Sequence, residues 1–175
     1  MKTNIALIGF MGAGKTAVGQ TLAEKLRRTF VEMDALIEQK AGKSIPDVFQ
    51  QDGEIAFREL EIEVTKEVAQ DKNQIIACGG GVVLNKINID RLKKGAVLIY
   101  LTASPKAILK RISSGGEKRP LLKTSDKAIA VRKMMSFRKP FYERAADITI
   151  DTSKLDIDDV AEQIITKIKE HEGVN

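Results

Sequence analysis

This 175-residue chain has no tryptophan, only 5% aromatic residues and a single cysteine, Cys78. Each scarcity excludes something. One cysteine rules out an internal disulfide framework and fits a reducing compartment. So few aromatics leave little from which to build a stacking surface for nucleic acid. The net charge of +5, from 29 basic and 24 acidic residues, is spread along the chain rather than gathered in a stripe. Charge alone therefore marks no nucleic-acid binder, and no such partner is expected. No apolar run approaches the roughly 18 residues needed to cross a bilayer. Met1-Lys2-Thr3-Asn4 leads straight into an apolar stretch, without a signal-peptide h-region or cleavage site, so the expected location is the cytoplasm. Repeats, low-complexity tracts and linkers are missing too. A chain of this length, 43% hydrophobic and 30% charged, is expected to form one domain over 1–175 with a substantial core.

What is present is sharper. Residues 9–16 read Gly9-Phe10-Met11-Gly12-Ala13-Gly14-Lys15-Thr16, which matches G-x-x-x-x-G-K-[ST]. This is the phosphate-cradling P-loop pattern. By composition alone it arises in roughly one chain in a few hundred of this length. Its glycines let backbone N–H groups turn inward around a phosphate at a helix N-terminus. Lys15 supplies a point charge for the β- and γ-phosphates, and the Thr16 hydroxyl can hold Mg²⁺. The setting agrees. Asn4–Ile8 reads as a buried strand, and Lys15–Arg28 carries Ala17, Val18, Leu22, Ala23 and Leu26 at helical spacing.

Further strands are expected at Phe30–Met33, Gln74–Cys78, Ala96–Leu101 and Asp147–Ile150. Helices are expected over 34–40, from the Ser44 cap with Pro46 in the first turn, over 53–69, from Ser104-Pro105 to Ser113, over 126–145 and over 156–171. Pro140 should kink or restart the fifth of these. Strands alternating with helices imply an α/β fold with a parallel sheet covered on both faces. Ligands then bind beyond the carboxyl ends of the strands.

Outside the P-loop, several residues can carry chemistry. The polar, basic stretch 113–124 between two helices includes Arg119 and suits a lid that keeps an activated phosphoryl group from water. Asp34 ends the second strand, where it is either an acceptor-orienting base or a plain helix cap. Gly79-Gly80-Gly81 follows the third strand and lets backbone approach a ligand closely. Arg58 and Arg138 together suit a carboxylate, because a guanidinium matches it bidentately. Taken singly, each also reads as ordinary: Arg58 as an i,i+3 surface pair with Glu61, Arg138 as a solvated helix face.

In combination these segments resemble the shikimate kinase family, within the nucleoside-monophosphate-kinase-like P-loop proteins. The resemblance covers nearly the whole chain. It rests on Gly9–Thr16, Asp34 with Ile37-Glu38, Asp52-Gly53-Glu54 with Phe57-Arg58 and Glu61, Gly79-Gly80-Gly81-Val82-Val83, Arg119-Pro120-Leu121-Leu122, and Arg138 with Tyr142. It implies a three-layer α/β/α fold with a five-stranded parallel sheet in the order 2-3-1-4-5 and a lid. It implies ATP-dependent phosphorylation of the 3-hydroxyl of shikimate, in aromatic amino acid (chorismate) biosynthesis, with Mg²⁺ and by a monomer. ATP phosphates would lie on Gly12, Ala13, Gly14, Lys15, Thr16 and Ala17, with Arg119 closing over them. Adenine would lie between Lys110-Arg111 and the loop 151–155, which contains Lys154. Asp34 would hold ring hydroxyls, Arg58 and Arg138 the carboxylate, and Gly79, Gly80 and Gly81 the substrate through backbone. Lys15, Asp34 and Arg119 would be catalytic.

Two departures stand out. Glu32-Met33-Asp34 replaces the family's usual Asp-x-Asp, so Glu32 is expected to share the metal with Thr16 through one extra methylene. Cys78 takes the place of a small hydroxyl residue and reads as a buried core thiol. His171, the only histidine, is expected on the surface of the last helix. Two other readings remain: a related small-molecule kinase, such as one for gluconate or a nucleotide, and a non-catalytic P-loop module. The arginine pair favours a carboxylated polyol. Asn85-Lys86-Ile87-Asn88 lacks the aspartate of a guanine-specific N-K-x-D.

Overall fold

The computed structural model describes residues 2–114, 126–154 and 156–171. Five strands form one sheet: β1 (Asn4–Ile8), β2 (Thr29–Glu32), β3 (Gln74–Ala77), β4 (Ala96–Thr102) and β5 (Ile148–Asp151). Their order is β2-β3-β1-β4-β5, and every pairing is parallel. This is the expected order. β1 and β3 are buried along their whole length and β4 at all but its last residue, as strands covered on both faces must be.

The helices are α1 (Lys15–Leu26), α2 (Met33–Ala41), α3 (Ile45–Gln51), α4 (Gly53–Val68), α5 (Lys86–Gly95), α6 (Pro105–Ser114), α7 (Lys127–Ala145) and α8 (Ile157–His171). α1 packs on β3 and α8, while α5 and α7 pack on β4 and α4 joins α2, α3 and α5. Helices flanking the sheet complete the three-layer arrangement. The core runs from Ile5, Leu7 and Ile8 through Ile75 and Ile76 to Leu98 and Ile99, all 2% exposed or less.

Three differences from the sequence reading have physical causes. First, α5 was not expected. Its only buried apolar residues are Ile89 and Leu92, while Ile87 faces solvent, so its periodicity is faint. The side chain of Asn85 nonetheless caps it by accepting from the Ile87 N–H. Second, α7 continues through Pro140 without a restart. Val131, Arg138, Tyr142 and Ala145 make its buried stripe, and Pro140 sits on the exposed side, where the carbonyl deprived of its helical donor can face water. Third, β2 starts and ends one residue early, and Met33 turns its fully buried side chain into the core as the first residue of α2.

Register brings the functional segments together. Glu32 and Leu7 both pair with Ala77, so β2, β3 and β1 end level with one another. Glu32–Asp34, Cys78–Gly81 and the P-loop therefore leave the sheet side by side at its carboxyl edge, where parallel sheets bind ligands.

Candidate active site

The P-loop leaves β1 and opens α1. Gly12 and Gly14 adopt left-handed φ of 77° and 99°, and Gly14 is the N-cap. A side chain on Gly9 would collide with the Leu101 carbonyl of β4, so the loop packs against the sheet only as glycine. Lys15 Nζ donates to the carbonyls of Gly9 (2.7 Å) and Phe10 (3.1 Å), which folds its charge back over the loop. The Thr16 hydroxyl donates to Glu32 Oε2 at 2.6 Å. Burial holds the Glu32 carboxyl above the ordinary glutamate value, against the pull of that hydroxyl.

A second carbonyl anchor lies behind the loop. Arg111 on α6 donates to the Gly12 carbonyl (3.2 Å) and to the Thr152 carbonyl (2.6 Å). Buried Thr152 in turn donates to the Ala13 carbonyl at 3.0 Å. Sequence reasoning missed Thr152, since one threonine after a strand carries no signal. Arg111 thus braces the P-loop from outside the main cavity. Lys154 is exposed on the same loop.

The cavity itself measures about 850 Å³. Its walls hold Gly12, Gly14, Lys15, Thr16 and Ala17 on one side, Glu32 and Asp34 below, and Arg58, Gly79, Gly80, Gly81 and Arg138 opposite. Ala13, Arg111 and Lys154 do not line it. Arg119 and most of the expected lid lie outside the described residues; Ser113 and Ser114 close α6.

The two arginines flank the glycines. A Cβ on Gly81 would run into the Arg58 guanidinium, and one on Gly80 would stand 3.6 Å from Arg138 Nη1. Neither arginine is on an ordinary surface. Arg138 is 6% exposed and lies over the Phe10 ring, 5.8 Å from its centroid. Among the described residues it forms no ion pair. Arg58 Nη1 donates to Glu61 Oε1 at 3.0 Å and Nη2 to Glu54 at 3.3 Å. Glu61 is 1% exposed, so the Arg58–Glu61 pair is an inward brace and not a surface pair. Its other oxygen has no hydrogen-bond partner among the described residues.

Asp34 is not the cap of α2; Glu32 holds that place, and Asp34 lies in the first turn, where the helix dipole favours its charge. Its Oδ1 comes within 3.0 Å of where a Gly79 Cβ would stand, and Glu61 Oε2 within 3.3 Å. Gly79 therefore leaves space between two carboxylates. Cys78 is 1% exposed, and burial pushes its thiol up, which suits an inert wall residue. His171 is exposed, as expected.

A phosphate loop, a carboxylate at the strand end and two guanidinium groups across one cavity call for a kinase with an anionic acceptor. The family model for shikimate kinase matches residues 11–169. The chain belongs to the shikimate kinase family. It is 46% identical over 162 residues to a shikimate kinase from Caldanaerobacter subterraneus subsp. tengcongensis, covering 93% of this chain and 94% of the relative. It is 42% identical over 168 residues to one from Symbiobacterium thermophilum, covering 95% and 97%. Among solved structures, a shikimate kinase from Acinetobacter baumannii in complex with shikimate superposes with a TM-score of 0.92 at 36% identity, covering 97% of this chain and 94% of that one.

Burial makes Glu61 a pH-sensitive element of this family member. Desolvation raises its carboxyl above the ordinary value of 4.5, with the Arg58 charge opposing. Between the ordinary and raised values the folded chain binds more protons than the unfolded one, so stability falls as pH rises through that window. Urea unfolding at several pH values from 4.5 upward should show the wild type losing stability relative to Glu61→Gln as pH increases. A difference that stays flat or has the opposite slope contradicts this account.

Proposed function

We infer that the protein transfers the γ-phosphoryl group of ATP to the 3-hydroxyl of shikimate, giving shikimate 3-phosphate and ADP, a step of chorismate and aromatic amino acid biosynthesis. The observation that carries this reading is the placing of Arg58 and Arg138 on either side of Gly80-Gly81, across one cavity from the P-loop. Two guanidinium groups facing a glycine backbone suit a planar carboxylate, which a nucleotide acceptor lacks; gluconate carries one too, and the family match is what favours shikimate over it.

Phosphoryl transfer passes through a loose, charge-rich transition state, so catalysis is mainly positioning and electrostatics. Gly12 to Ala17 hold the ATP phosphates with backbone N–H groups at the N-terminus of α1. Lys15 swings its charge from the loop carbonyls to the transferring group. Arg119 adds a second cation from the 113–124 lid, which excludes water. Arg111 and Lys154 border the adenine site between α6 and the loop after β5. Arg58 and Arg138 fix the carboxylate of shikimate, and Gly79, Gly80 and Gly81 bring backbone against its ring. Asp34 then meets the acceptor hydroxyl and takes its proton as the oxygen attacks phosphorus.

Thr16 and Glu32 fit a Mg²⁺ ion. Both offer oxygen, they touch each other, and they lie beside Lys15. Mg²⁺ in such kinases is held largely by substrate phosphates and water, so two protein oxygens are enough for this reading. Bound there, Mg²⁺ neutralises phosphate charge. Glu32 orients the Thr16 hydroxyl so that its lone pairs face the phosphates. The remaining parts of the reading are one domain over 1–175, a monomer, a cytoplasmic location, and neither nucleic acid nor membrane as partner. No described helix is long and apolar enough to cross a membrane.

A coupled ADP-release assay against shikimate, gluconate and nucleoside monophosphates should show turnover with shikimate alone. Turnover with another acceptor and none with shikimate would overturn the assignment. Glu32→Gln should raise the Mg²⁺ concentration for half-maximal rate severalfold, because its loss weakens one charge-assisted contact of roughly 1–2 kcal/mol. An unchanged Mg²⁺ dependence would remove Glu32 from the metal site.

A further inference from the structure

Tyr142 does not line the cavity, yet it is the largest of the fully buried side chains, at 1% exposure. It lies one helical turn after Arg138 on the buried face of α7. Its ring stacks on Tyr100 of β4, with centroids 5.0 Å apart and planes 19° from parallel. Tyr100 pairs in register with Ile8, the residue before the P-loop. That stack fixes the phenol from below. Its hydroxyl donates to the carbonyl of Gly80, across 62 residues of sequence. The Arg138 guanidinium lies against the same hydroxyl.

One oxygen therefore touches both halves of the acceptor wall: the backbone of the central glycine and the buried arginine. Arg138 needs such a guide. Among the described residues no carboxylate pairs with it, whereas Arg58 has Glu54 and Glu61. A long, flexible guanidinium held only by an aromatic face keeps several orientations. Gly80, lacking a side chain, depends equally on neighbours to fix its peptide plane.

We propose that Tyr142 is a positioning residue for the acceptor: its hydroxyl locks the Gly80 carbonyl and the Arg138 guanidinium into one geometry that selects a carboxylate. This rests on the shikimate reading given above. Burial pushes the phenol up to about 12. It therefore keeps its proton over the working pH range and donates to Gly80 throughout. A lone tyrosine four residues after an arginine gives no such hint in the sequence, because the bond runs to a carbonyl in a distant loop.

Steady-state kinetics of Tyr142→Phe test this, since phenylalanine keeps the ring stack. The shikimate KM should rise about five- to tenfold, as expected for one lost hydrogen bond that orients a charged group. kcat and the ATP KM should stay within about twofold. With the carboxamide of shikimate as acceptor, the same substitution should change KM by less than about twofold, because the amide carries no charge for Arg138. An unchanged shikimate KM, a fall in kcat with both KM values constant, or an equal change for acid and amide would each overturn the proposal. A wild type that turns over no shikimate would instead overturn the functional reading. If the variant does not fold, the wild type still decides. The chain has two tyrosines and no tryptophan, so its tyrosine ultraviolet band reports the Tyr100–Tyr142 stack. Shikimate should shift that band and MgADP alone should not; no shift with shikimate overturns the proposal.

Discussion

One buried and one half-buried guanidinium group beside one glycine backbone form the constraint on which the candidate acceptor side of this protein depends. Like charges repel, and each loses hydration on burial, so both need compensation. Arg58 receives it from Glu61, which is buried almost completely, from Glu54 at the rim, and from the Phe57 ring 5.1 Å away. Arg138 has the Phe10 ring, the Tyr142 hydroxyl and, beyond ion-pair distance, the charge of Glu61 among the described residues. The site is thus electrostatically incomplete on one side, which is what an anionic substrate completes. Gly81 is fixed by the same constraint: any side chain there would displace Arg58.

The donor side follows from the sheet. With β1 central and β3 and β4 on its two flanks, the P-loop leaves the sheet at its switch point. Level strand ends then place Glu32 against Thr16 and Asp34 against Gly79. The braces from Arg111 and Thr152 hold the loop's carbonyls from behind, so that its N–H groups are left to face a phosphate. Positioning of this kind is the main catalytic resource for phosphoryl transfer.

Much of this was legible in the chain. The five apolar runs and the P-loop were enough for the strands, their order following from the family resemblance. Ser44 capping α3 was visible because its side chain acts within three residues, on the Asp47 N–H. What stayed hidden depends on partners distant in sequence. Arg138 looked like a solvated helix residue, and its neighbours Phe10 and Gly80 lie 128 and 58 positions earlier. The Arg58–Glu61 spacing is identical on a surface and in a core, so nothing local told them apart. Asp34 was ambiguous between cap and base until the helix start was fixed one residue before it. α5 escaped because two buried apolar residues make too thin a stripe to read. The role of Arg119 rests on sequence and resemblance, since it lies outside the described residues.

The central claim is that the acceptor is held by its carboxylate between Arg58 and Arg138. Steady-state kinetics of Arg58→Ala with varied shikimate test it most directly. Loss of one charge-assisted ground-state contact should raise the shikimate KM on the order of tenfold to a hundredfold and leave kcat within a few-fold. A fall in kcat with the shikimate KM unchanged would contradict the account.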